Sequence, residues 1–344
     1  MQLSPTQITL ELKPQTRFDV IDVTQEIAHD FGDFLRQYHK TLYCSFHTTA
    51  GYLEQSFTAQ LRHCREQVSP FIKAFQNLFP PEANYHHDQL QLRTELSEEQ
   101  RRREPKNADS HLIFISAGMK NCVTYENKPD TPVYFIDLDG VNGTKCRCRH
   151  TKVKMAIPVS KQPIDSVNLN DSRNDFFEQL NHLVQQKDIR HGRVDIKLSG
   201  DEQHAGLTVN EYETMLMQHD LAEVLKNPLK FMAIKGKHAI AAPQLIPGKT
   251  LNYAKYDLVH IFNKVMDAIG VTETAIEKFL SIFIRLTASH YLSMKRQISL
   301  YVSDDIENGQ GKIVFGKYQS PILVQWKRAK GETRYLDVTI SKFK

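Results

Sequence analysis

Short runs of alternating apolar and polar residues constrain the fold of this chain more than any other sequence feature. Residues 7–13 and 17–23 alternate in this way near the start, and residues 145–157 form a longer run. Successive side chains of a strand point to opposite faces, so the alternation predicts strands with one buried and one solvated face. Such strands are typical of antiparallel sheets. We therefore expect the chain to open with two antiparallel strands joined at Pro14.

Apolar residues at helical spacing lie between these runs. They predict a helix over residues 25–38 and a longer amphipathic helix, broken or kinked near Pro70, between residues 53 and 78. Further strands are expected at 111–116 and 133–137. The first half is thus predicted to be α+β, with a mainly antiparallel sheet and packed helices.

A change in composition suggests a domain boundary near the middle of the chain. Pro158 and Pro163, followed by a polar segment, are typical of a linker. We expect a first domain over residues 1–160 and a helix-rich α+β domain over residues 161–344. The elements expected in the second domain are helices at 172–186, 209–225, 256–269 and 274–294, and strands at 193–198, 297–302, 312–315, 323–327 and 335–340.

The composition excludes several classes of protein. The chain has 344 residues, 40% hydrophobic and 24% charged, which is ordinary for globular domains and excludes disordered and collagen-like chains. No apolar run approaches the roughly 18 residues that a membrane-spanning helix needs. The N-terminus lacks a basic segment followed by an apolar one, so a cytoplasmic protein is expected.

Charge and cysteine content add two further expectations. The formal net charge of +4 is spread along the chain, and the basic residues 101–103 and 145–154 lack the interleaved aromatics typical of nucleic-acid binding, so neither a membrane nor a nucleic acid is expected as partner. The five cysteines include no CxxC pair, so we expect reduced thiols. Cys146 and Cys148, which share a strand face with His150, are given a structural role.

Three of the 15 histidines lie in short polar contexts. They are His47 in SFHTTAG, His87 in NYHHDQ and His111 in NADSHLIFIS, each expected at a strand edge or in a turn. Neutral imidazoles suit Zn²⁺ and similar ions, and three protein ligands leave a fourth position for water or substrate. Their sequence separations are too long for a local metal motif, so spacing alone leaves open that each is an ordinary core or surface histidine.

Three ordered segments carry a resemblance to a known family. His47-Thr48-Thr49-Ala50, Tyr85-His86-His87-Asp88 and Ala108-Asp109-Ser110-His111-Leu112 are similar to motifs of the YjbQ family of small proteins, over about residues 1–157. The resemblance implies an α+β subunit that forms a homo-oligomer, a trimer, with the histidines in a pocket for a divalent metal, zinc first, or an anion. It also implies a weak thiamine-phosphate synthase-type activity on a small phosphorylated compound.

The resemblance also assigns roles to individual residues. It implies His47, His87 and His111 as metal ligands, with His86 as the alternative to its neighbour, and it places Asp88, Asp109 and Ser110 around them. Asp88 and Asp109 would orient the ring N–H groups.

Candidate catalytic and substrate-binding residues follow from the chemistry of such a site. Glu54, Asp88 and Asp109 are the candidate catalytic carboxylates, with Asp137 and Asp139 as further ones. Ser110, Arg147 and Arg149 are the candidate substrate-binding residues, because two guanidiniums on one strand face can clamp a phosphate. The alternative is that both arginines cover the solvent face of the sheet.

Two alternatives concern the protein as a whole. The first is a non-catalytic ligand-binding or scaffold oligomer, in which the same histidines hold a structural ion closed by a fourth protein ligand. The second is an internal duplication, suggested by residues 204–211, HAGLTVNE, which echo the family's segment from His to Asn-Glu. Residues 208–211 also form a capping box that opens a helix, and nothing nearby repeats His87 or His111, so the capping interpretation is preferred.

Overall fold

The structure is a computed structural model, and its contacts divide the chain into two compact units. It describes residues 6–94, 96–143, 145–155, 158–169, 173–175, 177–202, 205–209, 220, 296–304, 309–319, 321–325, 329 and 334–343. Unit 1 comprises Met1–Gln55, Gly118–Thr214 and Leu292–Lys344, and unit 2 comprises Ser56–Ala117 and Met215–Tyr291. The predicted domains, 1–160 and 161–344, are contiguous in sequence whereas these units are not, and that boundary stays a prediction.

Unit 1 holds the strands that the structure describes, together with two helices. The elements of residues 6–155 are β1 (Thr6–Leu12), β2 (Asp19–Asp22), α1 (Val23–Phe31), β3 (Lys40–Ser45), β4 (Ala50–Gly51), β5 (Cys122–Glu126), β6 (Tyr134–Asp137), β7 (Val141–Asn142), β8 (Lys145–Cys146) and β9 (Arg149–Met155). Those that follow are β10 (Pro158–Leu169), β11 (Arg173–Asp175), α6 (Phe177–Gln186), β12 (Gly192–Leu198), β13 (Ala205–Thr208), β14 (Gln297–Asp304), β15 (Gly311–Val314), β16 (Ile322–Gln325) and β17 (Arg334–Phe343).

These strands form antiparallel sheets on both sides of residue 157. Before it, the sheet orders are β1-β9-β3-β5 and β2-β6-β4, with a small β7-β8 pair. After it, the orders are β10-β17-β12-β14-β15 and β11-β16-β13. Every pairing between these strands is antiparallel, which confirms the predicted α+β class. The second set repeats the order of the first with one added edge strand, β15.

The alternation seen in the sequence becomes the buried face of these sheets. In β12 the buried apolar side chains are those of Val194, Ile196 and Leu198, which join a core with residues of β14 and β17. A separate core forms before residue 157 around Tyr43, Tyr52 and other apolar side chains. Burying such residues yields about 25 cal/mol for each Å² of apolar surface, which is the main stabilising contribution to both cores.

The first helix is shorter than predicted. Its N-cap is Asp22, whose Oδ1 accepts a hydrogen bond from the backbone N of Gln25 at 3.1 Å. The helix ends at Phe31 because Gly32 adopts φ 63°, a left-handed conformation that glycine accepts at low cost. A 3₁₀ segment, Gly32–Gln37, continues the chain.

Unit 2 holds four described helices and two 3₁₀ turns. They are α2 (Gln55–Gln60), α3 (Arg65–Leu78), the turns His86–Asp88 and Leu90–Leu92, α4 (Glu98–Arg103) and α5 (Ala108–Ser116). The helix predicted between residues 53 and 78 is broken as expected, but at Arg62 and His63, which adopt positive φ angles of 55° and 48°, rather than near Pro70. Pro70 lies inside α3.

The strand predicted at residues 111–116 is wrong, because these residues belong to helix α5. All nine residues of α5 are buried, so its apolar side chains show no one-sided helical period and their sequence resembles a buried strand. The helices predicted at 209–225, 256–269 and 274–294 lie outside the described residues, apart from Val209 and Asp220. Within the described part of the chain, no helix is long and apolar enough to cross a membrane.

Candidate functional site

His87 and His111 lie side by side in unit 2. Their ring centroids are 5.3 Å apart and the planes are tilted by 51°. Both side chains are buried, with exposures of 1% and 4%, whereas His86 points to the surface. His87 lies in a one-turn 3₁₀ helix and His111 in the first turns of α5, so short rigid elements hold both rings.

Asp88 links the two elements that carry these rings. Its Oδ1 lies 2.9 Å from Nδ1 of His87 and accepts a hydrogen bond from the backbone N of Ala108, the first residue of α5, at 3.1 Å. A carboxylate at Nδ1 favours the tautomer with its proton there, which leaves the Nε2 lone pair of His87 available. This contact is the one expected of an orienting carboxylate, and a catalytic role for Asp88 stays a prediction.

A second carboxylate, which the sequence analysis missed, fixes the backbone of the same turn. Asp220 accepts hydrogen bonds from the backbone N of His86 at 2.6 Å and of His87 at 3.1 Å. Its burial raises the pKa of Asp220, and these two backbone donors lower it. No local motif marks Asp220 in the sequence, since it lies more than 130 residues from the turn that it contacts.

His47 belongs to unit 1, in the loop between β3 and β4. Its Nε2 accepts a hydrogen bond from the backbone N of His150 at 3.2 Å, and its carbonyl accepts one from Nδ2 of Asn121 at 2.6 Å. Burial, followed by the positive charge of Arg149, lowers the pKa of His47 to about 4. The ring is therefore neutral at pH 7, as a metal ligand must be, and an ion at Nε2 would replace the His150 hydrogen bond.

The two arginines predicted to bind substrate contact carboxylates of their own chain. Nε of Arg149 lies 2.8 Å from Oδ2 of Asp137, and Nη1 of Arg147 lies 2.5 Å from Oδ2 of Asp139. Both carboxylates are buried, and this burial raises the pKa of Asp137 to about 6 against the opposing charge of Arg149. The alternative that both arginines cover a solvent face is wrong for Arg149, which is 4% exposed.

The remaining candidate residues lie in different surroundings. Glu54 lines a cleft of about 270 Å³ in unit 1, where its Oε1 is 2.7 Å from Nζ of Lys120 and 3.7 Å from Nη2 of Arg193. Asp109 and Ser110 are buried in the first turn of α5 in unit 2. Their assigned roles stay predictions.

Within the described residues, one group of ligand atoms is close enough to share a metal ion as placed. It consists of Glu11, Cys148 and His150, whose ligand atoms lie within 4.8 Å of one another on the exposed surface of unit 1. The alternation of residues 145–157 puts Cys148 and His150 on one face, but it does not indicate Glu11. The missing information was the pairing of β1 with β9, which sets Glu11 opposite His150.

Comparison with known proteins finds solved structures only. No family model and no curated protein matches the chain. A YbjQ-like protein of unknown function from Sulfolobus solfataricus P2 is similar at 15% identity, covering 53% of this chain and 99% of that one with a TM-score of 0.27. A hypothetical protein from Aeropyrum pernix K1 is similar at 16% identity, covering 43% and 96% with a TM-score of 0.28.

A third solved structure carries the name of the family that the motifs resemble. It is an uncharacterized conserved protein of the YjbQ family from Clostridium acetobutylicum, 18% identical, covering 43% of this chain and 98% of that one with a TM-score of 0.29. All three structures thus align over nearly their whole length with about half of this chain.

Proposed function

We propose that this chain binds a divalent metal ion, zinc first, through the imidazoles of His87 and His111, with His47 as third ligand. The observation that carries the proposal is the buried pair of rings in unit 2. Two imidazoles on one tetrahedral Zn²⁺, each with Zn–N near ~2 Å, have ring centres about 5 Å apart. The 5.3 Å between the centroids of His87 and His111 suits this arrangement.

The surroundings of His87 support a metal site over an ordinary core histidine. Metal-bound histidines usually donate their other ring N–H to a carboxylate, which fixes the tautomer and strengthens the ligand. Asp88 lies at that place, 2.9 Å from Nδ1 of His87. The low pKa of His47, about 4, suits a neutral imidazole ligand.

The substrate part of the proposal is coarser. Three protein ligands leave one position for water or for an oxygen of the substrate, which a divalent ion would polarise. The family resemblance makes a small phosphorylated compound the candidate. Arg147 and Arg149 already contact Asp139 and Asp137, so a phosphate at their guanidiniums would compete with those carboxylates.

The test is the zinc content and affinity of the purified full chain. Wild-type protein is expected to bind Zn²⁺, and His87→Ala or His111→Ala to lower the affinity at least tenfold. His86→Ala, an exposed ring in the same turn, serves as the matched control and should bind as wild type. Asp88→Asn should weaken binding by about 10–100-fold, the usual effect of removing such a partner.

Two outcomes would overturn the proposal. One is a wild-type chain that takes up no Zn²⁺, and the other is a His111→Ala chain that melts like wild type and keeps its full zinc affinity. A catalytic site would in addition bind a water-derived or added anion at the ion, whereas the scaffold alternative requires a fourth protein ligand.

A further inference from the structure

We infer that residues 6–155 and 158–343 are two copies of one fold, and that only the first copy keeps a metal ligand at the position of His47. We call the strands β1–β9 the first copy and β10–β17 the second copy. The statement about the ligand rests on the proposed function, whereas the statement about the copies rests on the strands alone.

Seven strands and one helix recur in the same order and pairing. In the first copy the sheets are β1-β9-β3-β5 and β2-β6-β4, and in the second they are β10-β17-β12-β14 and β11-β16-β13. In both, the first strand pairs with the last, and a helix, α1 or α6, follows the second strand. In each copy the next described strand of the main sheet begins far along the chain, at Cys122 or at Gln297. Local propensity does not explain agreement in pairings so distant in sequence.

The register of the smaller sheets matches residue by residue. The short strand β4 in the first copy and β13 in the second both begin Ala-Gly and pair with the equivalent edge of β6 and β16. The pairs are Ala50 with Asp137 and Gly51 with Ile136 in the first copy, and Ala205 with Gln325 and Gly206 with Val324 in the second. Asp137 and Gln325 therefore occupy the same position of the fold.

The last strand of each copy begins with a buried arginine. Arg149 starts β9 opposite Leu12, and Arg334 starts β17 opposite Leu169. Their exposures are 4% and 2%. The two arginines are therefore equivalent. This match comes from the larger sheets, whereas the match of Asp137 with Gln325 comes from the smaller sheets.

Glu202 stands where the first copy has His47. Each lies three residues before the matched alanine, Ala205 or Ala50. Nε2 of His47 accepts a hydrogen bond from the backbone N of the second residue of β9, and Oε1 of Glu202 accepts one from the backbone N of the second residue of β17, at 2.8 Å.

The backbone at these two positions is held in the same way. The carbonyl of His47 accepts a hydrogen bond from the side chain of Asn121 at 2.6 Å, and that of Glu202 accepts one from Arg296 at 2.7 Å. Asn121 and Arg296 in turn accept, at their own carbonyls, the backbone N–H of the last residue of β3 or β12, at 2.7 and 2.8 Å. Three matched contacts thus relate Glu202 to His47.

The carboxylate that pairs with the buried arginine comes from different elements in the two copies. In the first copy Asp137 of β6 pairs with Arg149, which leaves the loop position free for an imidazole. In the second copy Gln325 stands in the place of Asp137, and Glu202 of the loop pairs with Arg334 at 2.7 Å. The side chains of Arg334 and Glu202 are 3% and 11% exposed.

Because Glu202 pairs with Arg334, the loop residue of the second copy has a structural role. An ion at Glu202 would have to separate a buried ion pair and leave Arg334 without its carboxylate, which is strongly unfavourable. An ion at His47 would replace one hydrogen bond from a backbone N–H. The geometry therefore assigns ligand binding to the first copy, with one ion for each chain.

The experiment counts zinc ions on the full chain, in a Cys148→Ser background that removes the thiol of the exposed Glu11, Cys148 and His150 group. We expect one ion for each chain, a zinc affinity at least tenfold lower in His47→Gln, and an affinity within twofold of the parent in Glu202→Gln. Two ions for each chain, of which one is lost in Glu202→Gln, would overturn the assignment.

A second measurement decides the structural half without any metal. Unfolding by urea is followed for Glu202→Gln, Arg334→Met and the double variant, and for Asp137→Asn, Arg149→Met and their double variant. In each cycle the effects of the two single variants, taken together, should exceed the effect of the double variant by at least tenfold in the unfolding equilibrium constant. Additive effects at Glu202 and Arg334 would overturn the inferred pair. If no zinc binds at all, the proposed function fails, and this cycle still stands or falls by itself.

Discussion

The first and second copies place different side chains at the same point of the same sheet. The first has His47 in the loop and Asp137 on the strand, whereas the second has Glu202 in the loop and Gln325 on the strand. Both retain the buried arginine that begins the last strand. The difference teaches that the fold requires one carboxylate near that arginine, and that the element supplying it decides whether the loop is free for chemistry.

The largest expected effect comes from removing either arginine. Arg149→Met and Arg334→Met each remove the guanidinium from a largely buried carboxylate, Asp137 or Glu202, and we expect each to lower the free energy of unfolding by about 3–5 kcal/mol in urea titrations. Arg36→Met, at an exposed ion pair, is the control and should change it by less than ~1 kcal/mol. If one arginine proved dispensable, the two copies would not share a structural requirement at this position.

The next effect separates the copies by pH. The pKa of His47 is lowered from 6.5 to about 4, so the native state binds fewer protons than the unfolded state between these values. The contribution of neutral His47 to the free energy of unfolding is therefore complete above pH 6.5. It falls by about 3 kcal/mol as the pH is lowered towards 4. Because burial raises the pKa of Asp137 to about 6, protonation of Asp137 offsets this loss over the same pH range. Urea titrations with a chelator present should therefore show the loss as the difference in pH dependence between wild type and His47→Gln.

The second copy offers the matched control for that measurement. Glu202→Gln removes a carboxylate at the equivalent position and leaves His47 in place, so the part of the pH dependence due to His47 should remain. If the free energy of unfolding changed between pH 6.5 and pH 4 by the same amount in His47→Gln as in wild type, the imidazole would not be held in the way that its surroundings indicate.

A smaller effect follows from moving the carboxylate deliberately. Glu202→His removes the Glu202 carboxylate from Arg334, and adding Gln325→Asp supplies a carboxylate at the position that Asp137 has in the first copy. We expect the double variant to recover about 2 kcal/mol of the stability lost in the single variant, measured by urea unfolding. No recovery would contradict the equivalence of Gln325 and Asp137.

The sequence predicted the fold class and most strands of unit 1, because alternation there reports directly on one buried face. The strand predictions at 193–198 and 335–340 are confirmed by β12 and β17. The residues around His111 were predicted wrongly because α5 is buried on every side, which removes the helical period from its sequence. A single sequence therefore specifies half-buried elements better than fully buried ones.

The capping box at residues 208–211 and the duplication do not exclude one another. Thr208 ends strand β13 with the extended backbone that an N-cap residue also adopts, and the helix that it is predicted to open lies outside the described residues. The sequence also does not indicate that Glu202 and His47 are equivalent, because one is a carboxylate and the other an imidazole. Contacts to Tyr335 and Arg296, far away in sequence, are what relate the two positions.

The smallest expected effect tests how far the loop of each copy depends on its side-chain donor. Asn121→Ala removes a neutral hydrogen bond to the carbonyl of His47, and we expect a loss of about 1 kcal/mol in urea unfolding. Arg296→Ala removes charged donors to the carbonyls of both Glu202 and Ser199, so its loss should be larger, about 2 kcal/mol. Equal losses would mean that the second copy gains nothing from its charged donor. A larger loss at Asn121 would reverse the comparison and make the first loop, with its imidazole, the more tightly held of the two.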